Sequence, residues 1–511
     1  TEISYDKNLT KIYKIHKYWA RKPWYVVRKY IQKYSKENDI VLDPFCGSGV
    51  TGLEAICINR NFVGGDLNPM SILITNETTN TKFDLAAINA DQIKLFELCK
   101  EKILNLYKLP ERCLFCGNHI VVKYSKSGPK FTKKYIRTYC PHCHSKKSEF
   151  EITDERSPFK NKGDLWSPKI EFPKKFYKDR FSYKGINCVS DMYSDRNWYA
   201  LSILFDAINK SVSKDNLNLF KLAFTNTLLH VSKLKGINVR PLGVNNYWVP
   251  DDYIEENVWF RFEERLENVI KSKQTLAERI HWTKTGKALA SIHSATDPYD
   301  PESFDYVFTD PPYGDVIQYS ELSYIWNAWI DAKYCNEQEI VINPAQGKKE
   351  EDFNQLLNTS LANIYHSLKI GGYFTLCFQN KDFKIWQNII EQCKKLKFKL
   401  IDVDVYDLYG STFNTNWAKF SPKSDIYVTF RKTDEEIEPC GQFKDLNITD
   451  IIESILEFLS NNNETFNLAK IYNLTVSYLI WLLYCNDDKL DYDFSVKTIL
   501  EIIGSRFSQF N

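Results

Sequence analysis

No apolar run in the 511-residue sequence reaches membrane-spanning length, and the first twenty residues, rich in Lys and Tyr, lack the apolar core of a signal peptide. These absences predict a cytoplasmic protein with no membrane partner. Charge imbalance is missing too. A net charge of +2 gives no general attraction to polyanions, so any nucleic-acid surface must be local. Tandem repeats and long low-complexity tracts are absent, which excludes solenoids and tails. No nuclease or helicase motif stands out. Of the 13 cysteines, nine are scattered singly and four form two close pairs, a pattern of reduced thiols plus one metal site rather than a disulfide framework. What is present, 43% hydrophobic and 26% charged residues over this length, describes a globular chain of more than one domain.

The densest chemistry lies in Phe304 to Gly314, FDYVFTDPPYG. Asp305 to Thr309 has the β-branched and aromatic content of a buried strand, and Pro311-Pro312 forbids its continuation. Asp310 and Tyr313 are therefore left at a strand's carboxyl end, where open α/β sheets bind ligands. A second such edge follows Asp39 to Leu42, where DPFCGSG runs from Asp43 to Gly49 into a helical stretch. Glycines there allow close backbone approach, and the helix presents free amides. A further strand, Phe62 to Gly65, ends in Asp66, spaced to accept hydrogen bonds from ribose hydroxyls. The turn reads as G-S-G with an acid before it, rather than as a dinucleotide fingerprint or a G-K-[ST] phosphate loop. NAD and ATP are therefore not expected. A ribose cofactor with a charged amino-acid tail and no phosphates, such as S-adenosylmethionine, suits Asp43 and Asp66.

Cys113-x-x-Cys116 and Cys140-x-x-Cys143, separated by 23 residues, have the spacing of a tetrahedral structural zinc site. His119, His142 and His144 nearby are read as surface residues. From Arg112 to Lys147 there are nine Lys or Arg and no Asp or Glu, so Lys130, Lys133, Lys134 and Arg137 are candidates for nucleic-acid contact.

The element sequence predicts a seven-stranded Rossmann-like α/β core, split by an insertion. Five regions are expected: 1–108 with the first half of the core, 109–150 as a zinc ribbon, 151–285 mostly helical, 286–433 with the second half, and 434–511 as a helical module. Helical patterns cover Asn197 to Lys210 and Tyr253 to Ile280, and Asp191 to Arg196 offers caps for the first of them.

DPFCGSG, GGDLNP and TDPPYG together resemble the amino-methyltransferases of DNA, in particular adenine-specific DNA methylases with a zinc ribbon. The opening HKYWARKP is similar to that family's segment over the cofactor's methionine end. The resemblance spans residues 10–80 and 286–432, plus the ribbon by composition and spacing. It implies a class I methyltransferase core that transfers methyl from S-adenosylmethionine to the N6 amine of adenine in double-stranded DNA, with the target base flipped. Asp310, Pro311, Pro312 and Tyr313 would then be catalytic. Asp43, Phe45, Gly47, Gly49, Asp66 and Asp297, with His16, Tyr18 and Lys22, would bind the cofactor. Gly49 and Asp310 lie 261 positions apart, against roughly 80 in a compact core. The inserted ribbon and helices are thus candidates for target recognition, in a restriction-modification or phage-defence setting with partner subunits. N4-cytosine methylation, guanine-N2 methylation of RNA, and a cofactor-binding scaffold remain open. With only about forty residues before Asp43, an RNA methylase's usual N-terminal RNA-binding region is not expected.

Overall fold

The structure, a computed structural model, describes residues 6, 8–128, 134–152, 165–174, 176, 182–238, 241, 247–280, 284–333, 336–380, 382–407, 424–435, 447–462, 468–486 and 496–509. Helix α1 (Trp24–Tyr34), β1 (Ile40–Asp43), α2 (Val50–Ile56), β2 (Asn61–Asp66) and α3 (Pro69–Thr79) open the chain. Next come α4 (Leu85–Asn105), β3 (Lys108–Arg112), β4 (His119–Ser127), β5 (Lys134–Tyr139) and β6 (Lys146–Ile152). Then follow α5 (Asp195–Ser211), α6 (Lys214–Leu228), β7 (Tyr253–Glu256) and α7 (Val258–Ile280). The chain continues through β8 (Ala288–Ile292), β9 (Phe304–Thr309), α8 (Tyr319–Leu322), α9 (Tyr324–Trp329) and α10 (Glu350–Ser367). It ends with β10 (Leu368–Phe378), α11 (Phe383–Lys395), β11 (Phe398–Asp407), β12 (Ser424–Lys432), α12 (Ile448–Asn461), α13 (Leu468–Cys485) and α14 (Val496–Gln509). The side chains of Asn68, Asp84, Ser194, Asp382 and Asn447 each accept from a first-turn amide, contributing about 1 kcal/mol per cap.

Seven strands form one sheet in the order β11-β12-β10-β9-β1-β2-β8. The pairs β1 with β2, β1 with β9, β2 with β8 and β9 with β10 are parallel, and β12 runs antiparallel to both β10 and β11. This is the Rossmann-like, class I methyltransferase arrangement that the sequence predicts. The last strand in sequence slots between its two predecessors, an order that strand propensity does not encode. From β1 the chain builds outward to β2 and β8 on one side and to β9 and β10 on the other. The carboxyl ends of β1 and β9 therefore flank the topological switch point, where such sheets hold ligands.

Alternation along the strands divides the sheet between two cores. Leu42, Val307, Phe374, Leu376, Val428 and Phe430 point into one, Val41, Tyr306, Phe308, Cys377 and Tyr427 into the other. The C-terminal helices belong to the first core through Ile451, Ile452, Ile471, Val476, Leu479 and Ile480. Buried polar ties hold them as well: Gln379 Nε2 donates to Asn473 Oδ1 at 3.0 Å, and the Tyr484 hydroxyl to the Phe398 carbonyl at 2.9 Å.

The insertion has a smaller antiparallel sheet, β3-β4-β5-β6, with β7 paired to β4. Here the expectation of a continuous helix from Tyr253 to Ile280 is corrected. Tyr253–Glu256 extends along β4, and the Asn257 side chain accepts from the Trp259 amide at 3.0 Å to start α7. Four residues with an open strand beside them follow the tertiary pairing rather than the helical pattern that comes after. The insertion's helices share one core with α3, α4 and α9. No described helix is long and apolar enough to cross a membrane.

Candidate active site and cysteine cluster

Asp43 closes β1 and is 3% exposed. Its carboxylate accepts from the Thr51 hydroxyl at 2.6 Å, the Thr309 hydroxyl at 2.8 Å and the Phe45 amide at 3.1 Å. Burial nonetheless raises it to about 6, the three donors pulling the other way. Asp43 thereby ties the ends of β1 and β9 to the start of α2.

The turn that follows requires glycine. Gly47 and Gly49 have φ of +52° and +77°, and a Cβ on Gly47 would lie 2.9 Å from the Tyr18 ring. Gly52 is packed against the Phe62 ring. With it the turn reads Gly47-x-Gly49-x-x-Gly52, a complete G-x-G-x-x-G, so the reading as G-S-G alone is corrected and the glycine pattern does not exclude a dinucleotide. Asp66 ends β2, accepting from the Gly47 amide at 3.0 Å on one oxygen and the Asn68 amide at 2.8 Å on the other. With the Ser71 side chain as a further donor, one lone pair of the carboxylate remains for a ligand. Burial raises Asp66 to about 7, against its two amide donors.

At the end of β9, Asp310 meets two side chains, one of which also reaches Asp425. The Tyr313 hydroxyl donates to its Oδ1, Lys22 Nζ lies 3.4 Å from the same oxygen, and Lys22 also donates to Tyr313 at 2.5 Å and to Asp425 at 3.0 Å. Burial pushes Asp310 up to about 7, with Lys22 and Tyr313 opposing. Burial alone would lower Lys22, but Asp310 and Asp425 outweigh it and hold the ammonium well above its ordinary value. The Tyr313 ring stands edge-on to Phe378 at 5.0 Å.

One cavity joins these groups. Tyr18, Lys22, Asp43, Phe45, Gly47, Asp66, Asp310 and Pro312 line it, with Ser294, Tyr319 and Gln338. Its empty space is about 910 Å³, open solvent at its mouth included. The remaining predicted residues lie elsewhere. Asp297 accepts from Gln338 Nε2 at 3.0 Å just outside the lining residues. His16 is buried away from the cavity, its Nε2 3.1 Å from the Thr225 hydroxyl and its ring edge-on to Trp326. Burial lowers it to about 3, so it stays neutral. Gly49, Pro311 and Tyr313 belong to the turns beside the cavity and are not among the residues that line it, Tyr313 adjoining it through Asp310.

Three contributors escape the sequence reading. Arg21 donates from Nε to the Ser48 hydroxyl at 3.0 Å and from its guanidinium to the His16 carbonyl at 2.8 Å, fastening the opening segment to the glycine turn. Tyr319 stacks on Tyr18 at 5.9 Å. Asp425 reaches Lys22 from β12. Arg21 stands within the aromatic-basic opening segment, a usable signal, whereas Asp425 has none.

The four thiols Cys113, Cys116, Cys140 and Cys143 lie within 4.8 Å of one another. Each pair sits in the same turn: the Gly117 amide donates to the Cys113 carbonyl and the His144 amide to the Cys140 carbonyl, both at 2.9 Å, with Gly117 and His144 at positive φ. Sulfurs around a tetrahedral zinc are about 3.8 Å apart, and the close pairs here, Cys113 with Cys143 and Cys116 with Cys140, are at 3.5 Å. The donor set fits zinc. Of the basic residues proposed to face nucleic acid, Lys130 and Lys133 lie outside the described residues, Lys134 opens β5 opposite Ile152, and Arg137 pairs with Tyr124 across the sheet.

Residues 2–77 match a family model described as DNA methylase. The type II methyltransferase M2.LlaDCHI of Lactococcus lactis subsp. cremoris is 39% identical over 64 residues, covering 12% of this chain and 24% of its own. M.MjaII of Methanocaldococcus jannaschii is 27% identical over 132 residues, 26% of this chain and 23% of its own. The chain thus spans about a quarter of the length of these relatives. Among solved structures, the putative DNA modification methylase TTHA0409 of Thermus thermophilus, complexed with S-adenosyl-L-methionine, overlaps 28% of this chain and 51% of its own at 14% identity and a TM-score of 0.17. An rRNA methyltransferase of Streptomyces viridochromogenes overlaps 84% and 95% at 8% identity and a TM-score of 0.29.

Proposed function

We propose that this chain is a DNA methyltransferase that uses S-adenosylmethionine to methylate the N6 amine of adenine, in a restriction-modification or phage-defence setting. The observation that carries the reading is that Asp66 and Asp310, from strand ends on either side of the switch point, line one cavity, in a chain whose first part matches a DNA methylase model. The free acceptor position of Asp66 suits a ribose hydroxyl. Asp43, its oxygens already engaged, braces the turn and adds negative charge beneath a cationic amino-acid tail, with Phe45 and Tyr18 as apolar walls.

The lone pair of an aromatic amine is delocalised into the ring. The Asp310 carboxylate and the Pro311 carbonyl, accepting from the two N–H groups, favour a tetrahedral nitrogen and aim that pair across the cavity. Tyr313 stacks on the flipped base, and Pro312 fixes the turn that presents it. S-adenosylmethionine, when bound, supplies an electrophilic sulfonium methyl; the N–C bond forms as the C–S bond breaks, and one amine proton is released. No covalent enzyme intermediate is required. Cys113, Cys116, Cys140 and Cys143 would hold a structural zinc, and the inserted sheet and helices would read the DNA.

The test is transfer from isotopically labelled S-adenosylmethionine to unmethylated genomic DNA and, in parallel, to total RNA, with mass spectrometry of the nucleosides. Label in N6-methyldeoxyadenosine is expected. Label in N4-methyldeoxycytidine would reassign the base, label only in RNA would reassign the substrate, and no label would leave a cofactor-binding scaffold.

A further inference from the structure

Asp425 is an isolated acid with no motif around it, and its place follows from topology. Strand β12 is the antiparallel member of the large sheet, pairing Tyr427 with Cys377 and Ile426 with Phe378. Its first residues therefore lie at the edge where the parallel strands end. There Asp425, 6% exposed, faces the Lys22 ammonium at 3.0 Å, and the same ammonium lies 3.4 Å from Asp310. One cation thus stands between two carboxylates, of which Asp310 lines the cavity and Asp425 does not.

We propose that Asp425 is a positioning residue of the methyl-transfer site: it pins Lys22, and Lys22 in turn holds the Asp310 carboxylate as an acceptor turned to the cavity. The proposal rests on the reading of Asp310 given above. Without the pin, a long flexible lysine has many rotamers besides the one that reaches Asp310, and ordering it costs conformational entropy. Asp425 contributes that ordering from a strand fixed on both sides. It is also a second negative charge, so it limits how tightly Lys22 closes on Asp310 and leaves lone pairs for the amine.

The groups around Asp310 make the role measurable. Lys22 faces it from the segment before α1, Tyr313 from its own loop, Tyr319 from α8, Cys377 from β10, and Asp425 and Tyr427 from β12. Burial raises the three tyrosines and the thiol, so they are neutral, and among the described residues Lys22 and Asp425 are the charges with the largest influence on Asp310. Their effects have opposite sign. In Lys22→Met the acidic limb of the kcat–pH profile should move up by about one pH unit; in Asp425→Asn, which releases Lys22, it should also move up, by less, because Lys22 has the larger influence on Asp310 and the opposing charge of Asp425 is lost with it. Asp425→Glu should return it close to the wild-type position. The same shifts should appear in the carboxyl resonance of Asp310 in protein carrying ¹³C-labelled aspartate, assigned by loss of the signal in Asp310→Asn. Limbs and resonances that stay in place, or that move down in Asp425→Asn, would overturn the proposal. Upward shifts of the Asp310 resonance in both variants of a protein without any methyl transfer would uphold the positioning and overturn the activity instead.

Discussion

The carboxylates at the sheet edge and the thiols of the cysteine cluster are both groups of four side chains, built in opposite ways. Asp43, Asp66, Asp310 and Asp425 come from strands β1, β2, β9 and β12, and the sheet that aligns them is buried on both faces. The thiols come from two similar turns close in sequence, and Cys143 is exposed. Position at the first site is set by the fold before any ligand arrives. At the second, four thiolates that repel one another have to be held by the metal they surround. Removing one acid should therefore change chemistry and leave structure, and removing one thiol should do the reverse.

The largest effect expected is at Asp310. Asp310→Ala should lower methyl transfer by at least about 10³-fold, the scale of losing a preorganised acceptor in a water-poor site, while calorimetric affinity for the cofactor changes by less than about threefold. Undiminished turnover would remove Asp310 from the chemistry and with it the contrast. Next is the cluster. Cys116→Ser should take bound zinc from one per chain to none by elemental mass spectrometry and open the segment from β3 to β6 to proteolysis. Cofactor affinity should stay within about threefold, because no cysteine of the cluster lines the cavity. If that affinity collapses instead, the two sites are not independent.

How much of each site is legible in the sequence follows from the same difference. The cysteine pairs are readable because spacing alone brings them together. Asp43, Asp66 and Asp310 are readable because each follows a strand and precedes a Gly or Pro turn, so local chemistry marks a sheet edge. Asp425 stands at the start of its strand rather than at its end, and its position depends on β12 running antiparallel between β10 and β11, which no local pattern records. His16 misleads for a related reason. It belongs to a segment that does reach the cavity through Tyr18 and Lys22, but its own side chain turns toward α6 and α9. Strand β7 was hidden because the open edge of β4, not its four residues, selects its conformation.

A smaller effect is expected in the pH dependence of stability. Asp66 is raised to about 7 in the folded chain by burial, against about 4 for an unfolded Asp. Between those values the unfolded chain has released the proton and the folded chain retains it, so stability falls as pH rises through that window and levels off above it. Relative to Asp66→Asn, wild type should lose stability from pH 4 to 7 in denaturant titrations and run parallel above pH 7. Parallel behaviour across the whole range would mean that Asp66 is hydrated enough to ionise normally, and the edge site would then be less distinct from the exposed cluster.

The smallest effect concerns the cations around the cluster. If the inserted sheet touches DNA, its lysines act through phosphate, and each contact contributes to affinity and to the salt dependence without setting the methylated sequence. Lys133→Glu with Lys134→Glu should weaken DNA binding and reduce the slope of log affinity against log salt by about two contacts' worth, with the methylation pattern unchanged. The comparison predicts that kcat at saturating DNA stays near wild type, since charge on the insertion helps gather the substrate while the acids at the sheet edge act on it. A slope that does not change would reduce the cysteine sheet to a structural brace, and a fall in kcat at saturating DNA would mean that the insertion also helps place the target base.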